Sequence, residues 1–330
     1  MSRSAPAAPS AAPPVPAVGP AATRPLRVAR RHVECADVVA LDLVDPLGAP
    51  LPGWSAGAHV DVVLNAATVR QYSLCGDPAD AGRWRLGVLR DAGGRGGSVA
   101  LHDEVDVGSV LEVGDPRNNF ALPDAPAHLL LGGGIGITPL LPMARELAAA
   151  GVPHRLLHAT RSAARSPFAA EVAALGGQAH HDDADGLLDV AGLLAGLAPG
   201  TAVSCCGPEG LLAAAEAACP AHVTLHVERF APREVETDAA ADGPFEVLLR
   251  STGAVVQVAE GQSVLDAVSR AGADVPSSCR EGTCASCETE VLEGLVDHRD
   301  SILSDEERTA GTSMFLCVSR ARSARLVLDL

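Results

Sequence analysis

The sequence predicts a multidomain chain in three parts: an antiparallel β-barrel, an α/β domain with a parallel sheet, and a small α+β module in β-grasp order. Three observations carry this. Short apolar runs separated by turns fill residues 25–124, strands and helices alternate over 125–232, and a hairpin, a helix and four spaced cysteines occupy 245–330. At roughly 100–200 residues per domain, 330 residues suffice for these parts.

Charged residues at 20% and hydrophobics at 47% suit a soluble globular protein. A net charge of −16 argues against nucleic acid as a partner, because phosphate backbones need a basic face. Residues 1–24 are Ala, Pro and Ser with few large apolar side chains, so they are expected to be a disordered leader. They lack the apolar core of a signal peptide. Residues 126–144 carry no Asp, Glu, Lys or Arg, but the glycine run and prolines predict a strand, turn and helix, not a membrane span. A cytoplasmic protein with reduced thiols and no membrane partner is expected.

In the first module the apolar runs at 38–43, 59–64, 84–89 and 110–113 have strand length. Arg70-Gln71-Tyr72-Ser73-Leu74 holds the only tyrosine. On a strand Arg70 and Tyr72 share one face, and Ser73 takes the other unless the strand bends. Gly93-Gly94-Arg95-Gly96-Gly97-Ser98 then predicts a glycine loop opening a short helix capped by Ser98, whose free N–H groups suit an anion. Each stretch alone also fits an ordinary strand or loop.

Together with Pro116-Arg117-Asn118-Asn119-Phe120, these motifs resemble the flavin domain of the ferredoxin reductase superfamily. Within it the chain resembles the phthalate dioxygenase reductase family, which includes the vanillate O-demethylase oxidoreductases. The resemblance implies that Arg70 pairs with the flavin phosphate, Tyr72 packs on the isoalloxazine, and Ser73 hydrogen-bonds near its reactive edge. Ser98 and the neighbouring Gly97 amide would take further phosphate oxygens. The implied flavin is FMN, with FAD left open by the sequence.

In the second module a buried strand at 128–131 precedes Gly132-Gly133-Gly134-Ile135-Gly136-Ile137-Thr138-Pro139 and an apolar helix. Thr138 is the expected N-cap and Pro139 the first helical residue. Glycines 132, 133 and 136 let backbone approach a pyrophosphate, although G-x-G-x-x-G spacing is not followed. Strands at 155–159 and 201–204, helices at 166–174 and 187–197, and the turn Cys205-Cys206-Gly207-Pro208 continue the alternation. Both turns then lie at the carboxyl edge of the sheet, where such folds bind ligands. The resemblance implies that Cys206, Gly207 and Pro208 sit beside the nicotinamide, with Cys206 and Ser73 catalytic, and favours NADH; Arg161 leaves NADPH open. The strand at 222–227 leads to Glu228-Arg229-Phe230, where Phe230 either covers the isoalloxazine or packs the linker. His180, His181, Asp182 and Asp183 read as a solvent-facing loop, since adjacent residues rarely converge on one ion.

Residues 233–244 are acidic and Ala-rich, a predicted tether. A hairpin at 245–258, a helix capped by Ser263, a Ser304 to Glu307 capping box and a closing strand at 325–328 follow the β-grasp ferredoxin order. Four residues separate Cys279 from Cys284, two separate Cys284 from Cys287, and 29 precede Cys317. This is the plant-type 2Fe-2S spacing. Structural zinc normally uses two short clips, whereas Cys317 stands alone. Cys35, Cys75, Cys205 and Cys219 show no ligand spacing and read as packing residues.

These parts imply electron flow from NADH through FMN and a 2Fe-2S cluster to a protein acceptor, which the resemblance makes the terminal oxygenase of a Rieske-type system. The alternatives are a stand-alone NADH-dependent reductase of another soluble acceptor, and a non-enzymatic carrier; the intact glycine turns speak against the carrier.

Overall fold

The computed structural model describes residues 22–65, 68–233 and 242–330. Strands β1 (Thr23–Cys35), β2 (Val38–Val44), β3 (His59–Asn65), β4 (Thr68–Ser73), β5 (Trp84–Leu89) and β6 (Val110–Gly114) form one antiparallel sheet, ordered β4-β3-β6-β1-β2-β5. A Leu74 to Leu86 bridge brings the two edge strands together and closes it into a barrel. Leu26, Leu41, Val60, Val62, Trp84 and Leu86 fill the interior at 0% exposure. The β-branched and aromatic content of these strands suits a pleated, buried surface. β1 begins at Thr23, two residues inside the expected leader, because Thr23 and Arg24 pair with Gly114 and Val113 of β6. Their side chains also bond Glu112 and Asp115.

Helix α1 (Gly97–Asp103) follows the glycine loop. Its N-cap is Gly96, at φ 81°, and not Ser98 as the sequence predicts. Only glycine takes that left-handed turn freely. Ser98 instead sits within the helix, where its hydroxyl accepts the Asp91 amide at 3.0 Å.

The second module is a parallel sheet of β7 (Ala127–Gly133), β8 (His154–Thr160), β9 (Gln178–His181), β10 (Thr201–Cys206) and β11 (Thr224–Glu228), ordered β11-β10-β7-β8-β9. Helices α2 (Leu140–Ala150), α3 (Ala169–Ala174), α4 (Asp182–Asp185), α5 (Val190–Ala195) and α6 (Glu209–Ala218) accompany it. Thr138 does not cap α2. The N-cap is Pro139, and the Thr138 hydroxyl donates to the Ile135 carbonyl at 2.9 Å, because a 3-10 turn at Gly134–Ile137 intervenes. The helices predicted at 166–174 and 187–197 are shorter than their apolar spacing, starting at Ala169 and Val190. His180 and His181 end an edge strand, and Asp182 and Asp183 open a helical turn, so the expected loop is regular structure.

One core crosses the boundary between these two modules. Val38, Ala40, Cys75 and Phe120 pack with Leu130, Leu140, Met143 and Phe168. Arg85 reinforces it, joining Asp42 of the barrel at 2.7 Å to Glu171 of α3 at 2.6 Å.

The expected tether lies largely outside the described residues. Beyond it β12 (Phe245–Leu249), β13 (Val255–Val258), α7 (Val264–Arg270), β14 (Glu288–Glu293), β15 (Val296–Asp297), α8 (Asp305–Ala310), β16 (Ser313–Phe315), β17 (Arg320–Ala321) and β18 (Arg325–Leu328) form the β-grasp module. Its main sheet runs β13-β12-β18-β14-β16, with β12 and β18 parallel. Ser263 caps α7, and the Ser304 to Glu307 capping box of α8 is formed in both directions.

Candidate functional site

The carboxyl ends of β7 and β11, the barrel strand β4, the start of α1 and the cysteine loop meet around one cleft of about 350 Å³. Such clefts between domains are where ligands usually bind. Arg70, Tyr72, Ser73, Gly97, Ser98, Thr138 and Phe230 of the sequence-predicted set line it. Arg70 and Tyr72 pair with Val62 and Val60, whose side chains fill the barrel, while Ser73 pairs with His59 on the other face as the strand alternation predicts; all of residues 70–73 nonetheless reach the cleft.

Its cationic end is built by Arg70, which lies against the start of α1. A Cβ on Gly97 would stand 2.7 Å from the Arg70 Cγ, so glycine there admits the arginine. Arg70 donates to the Val69 and Arg95 carbonyls at 2.8 and 3.2 Å. Tyr72 is half-buried against the barrel core, and burial pushes its phenol well above the ordinary range. The Ser73 hydroxyl and His59 Nε2 are buried without a partner among the described residues, and both residues line the cleft. Burial, followed by the charge of Arg117, lowers the His59 imidazole to about 4, so it is neutral at pH 7. Phe230 is 46% exposed on the cleft wall.

The nicotinamide-side residues are arranged differently. Gly132, Gly133, Gly136, Cys206, Gly207 and Pro208 do not line the cleft; of the first turn only Ile135 and Thr138 do. A Cβ on Gly133 would meet Pro208 Cδ at 2.6 Å, and one on Gly136 would meet the Cys206 carbonyl oxygen at 2.2 Å. These glycines therefore let the β7 and β10 turns pack on each other. Cys206 is fully buried, and its Sγ lies 3.9 Å from Glu228 Oε2. Burial pushes the Glu228 carboxyl up to about 8, and the Cys206 thiol well above its usual value. Cys206 thus touches Glu228, which does line the cleft.

The cysteine loop forms the far wall. Cys279, Cys284 and Cys287 are buried and Cys317 is half-buried. The Cys279 thiol contacts those of Cys284 and Cys317, and Cys317 contacts Cys287. Cys279 Sγ accepts the Glu281 and Thr283 amides at 3.3 and 3.4 Å, and Cys284 Sγ accepts the Cys279 amide at 3.4 Å. Hydrogen bonds from the Cys284 and Cys317 thiols, then from Thr283 and the Glu281 amide, draw Cys279 well below the thiol range against the cost of its burial. Positive φ at Arg280, Gly282 and Ala285 turns the loop. A Cβ on Gly282 would lie 2.7 Å from Val318. Four converging sulfurs served by backbone donors in a closed loop fit a 2Fe-2S cluster.

Sequence reasoning missed the groups that join this loop to the barrel. Asp61, at 0% exposure on β3, accepts Arg117 at 2.7 and 2.9 Å, Gln71 at 2.6 Å and Ser278 at 2.8 Å. Asn119 donates to the Cys284 carbonyl at 3.1 Å, and Arg95 pairs with Glu281 at 2.8 Å. The one available signal was a lone acid inside the apolar strand His59–Asn65, which a buried partner must compensate.

A barrel, a parallel sheet and a cluster-type cysteine module meeting at one cleft define an iron-sulfur oxidoreductase. Residues 247–322 match the model of the 2Fe-2S iron-sulfur cluster binding domain. The chain is 42% identical over 302 residues to phenoxybenzoate dioxygenase subunit beta of Ectopseudomonas oleovorans, covering 89% of this chain and 93% of that one. It is similar to the structure of phthalate dioxygenase reductase, described as modular for electron transfer from pyridine nucleotides to 2Fe-2S, with 38% identity and TM-score 0.67. That match covers 93% of this chain and 98% of the other. It is also similar to an intact type IV self-sufficient cytochrome P450 monooxygenase, with 41% identity and TM-score 0.85, over 93% of this chain. The chain spans 41% of that monooxygenase. It belongs to the phthalate dioxygenase reductase family, together with the vanillate O-demethylase oxidoreductases and related reductase subunits of oxygenase systems.

Proposed function

We propose that this chain is the reductase component of a Rieske-type oxygenase system, carrying electrons from NADH through FMN and a 2Fe-2S cluster to a terminal oxygenase. The observation that supports this best is one cleft lined by all three modules, in which Glu281 and Thr283 also donate their amides to Cys279 Sγ. A bound flavin takes electrons in pairs and passes them on singly, which a cluster requires. The chain's own part is positioning. Arg70, with Ser98 and the Gly97 backbone, holds the phosphate; Tyr72 and Phe230 bracket the ring; and the unpartnered Ser73 hydroxyl serves its polar edge. Glu228, backed by the buried Cys206, forms the uncharged wall of the nicotinamide side. Cys279, Cys284, Cys287 and Cys317 hold the cluster. No helix among the described residues is long and apolar enough to cross a membrane, and we place the protein in the cytoplasm, where its thiols stay reduced.

The likeness to part of a cytochrome P450 monooxygenase favours a second reading, in which the acceptor is a different soluble redox protein. The absorption spectrum of anaerobically purified protein, before and after NADH, is expected to show flavin and iron-sulfur bands that both bleach. Cys284→Ser is expected to keep NADH oxidation with a flavin-level dye and to lose at least about 90% of cytochrome c reduction, since one thiolate ligand is gone. Survival of both activities removes the cluster from the exit route. Reduction of a purified Rieske oxygenase against a P450 haem protein separates the two acceptors.

A further inference from the structure

The cationic end of the cleft is closed by a contact between modules. Arg70 donates to the Arg95 carbonyl at 3.2 Å, and the Arg95 guanidinium pairs with the Glu281 carboxylate at 2.8 Å. Arg95 belongs to the barrel and Glu281 to the cysteine loop. Glu281 also donates its backbone amide to Cys279 Sγ at 3.3 Å. One residue thus touches an arginine of the cleft with its side chain and a cluster-ligand sulfur with its backbone.

Two like charges at one end need a counter-charge, and Arg95 already depresses the affinity of Arg70 for its proton, after burial. A half-exposed ion pair contributes only about 0–1 kcal/mol by itself, so Arg95 to Glu281 does little as a staple. Its significance lies in what it joins. A phosphate shared by Arg70 and Arg95 fixes the Arg95 side chain, which is otherwise 52% exposed, and so fixes its carboxylate partner in the loop.

We infer that Glu281 is a positioning residue that couples occupancy of the cleft's cationic end by the flavin phosphate to docking of the cysteine loop on the barrel. This rests on the flavin reading above. Flavin binding then orders residues 279–283 through the Arg95 to Glu281 pair, beyond what the cleft-lining Thr283 contributes directly.

Full-length, cluster-loaded protein stripped of flavin and titrated with FMN tests this by amide hydrogen exchange at residues 70–73 and 279–283. In the unsubstituted protein FMN is expected to protect both segments. Glu281→Gln is expected to keep protection of 70–73 while FMN-dependent protection of 279–283 falls about tenfold, within the usual range for coupled sites. Glu281→Asp restores most of it, and Arg95→Gln abolishes it with no further change on adding Glu281→Gln. Equal loop protection in Glu281→Gln and the unsubstituted protein overturns the coupling. No protection of 70–73 by FMN in the unsubstituted protein instead removes the flavin reading itself.

Discussion

The glycine-rich segments at 93–97 and 132–136 use the same residue for opposite ends. A Cβ on Gly97 would meet the Arg70 side chain, Cγ at 2.7 Å and Nε at 2.8 Å. One on Gly136 would meet the Cys206 backbone, oxygen at 2.2 Å and carbon at 2.4 Å. An arginine can swing away, whereas a strand end held by its neighbours cannot. The first segment therefore shapes a binding cleft, and the second clamps two turns of a sheet. Proximity to a strand end does not distinguish them; what stands opposite does.

Gly136→Ala gives the largest contrast. It is expected to cost at least about 3 kcal/mol, through overpacking against backbone, and to lower the urea midpoint sharply. A variant as stable as the parent would erase the distinction. Gly97→Ala is expected to cost under about 1 kcal/mol in the same titration, because its obstacle is flexible. It should still displace Arg70 and weaken FMN affinity roughly tenfold, about 1.4 kcal/mol, by fluorescence titration. An unchanged affinity would show that Arg70 does not set the cleft.

The smallest effect concerns the wall behind the second segment. Glu228 ionises near 4.5 in the unfolded chain and about 8 in the folded one, so the folded state holds the extra proton between those values. Stability from this carboxyl is present below pH 4.5 and is lost as pH rises through about 8. Glu228→Gln should flatten the decline in urea midpoint across that window; an unaltered slope would mean that Glu228 is solvated.

The convergence of Cys279, Cys284, Cys287 and Cys317 was legible because a cluster fixes cysteine spacing whatever surrounds it. Strands 84–89 and 325–328 and the outer bounds of the 245–258 hairpin were legible to the residue. Capping was not. Ser98 and Thr138 have the right side chains, but Gly96 in a left-handed turn and a 3-10 turn before Pro139 took the N-cap one or two positions away. The cleft was legible only in part, since His59, Gln71, Glu228 and Glu281 converge from separate modules and sequence spacing does not encode that convergence. The glycines at 132, 133 and 136 were found, but their partner is the β10 turn, a long-range contact that sequence spacing does not encode.

Ser278 immediately precedes the first cysteine of the quartet, and its hydroxyl donates to a carboxylate of the barrel that is buried where the two modules meet. The seam between barrel and cluster module is thus finished by an atom borrowed from more than 200 positions downstream. Chimaeras that graft a foreign cluster module onto this barrel would need a hydroxyl donor at that position, or Asp61 would be left short of one of its bonds. Compatibility between interchangeable parts is written here in one serine.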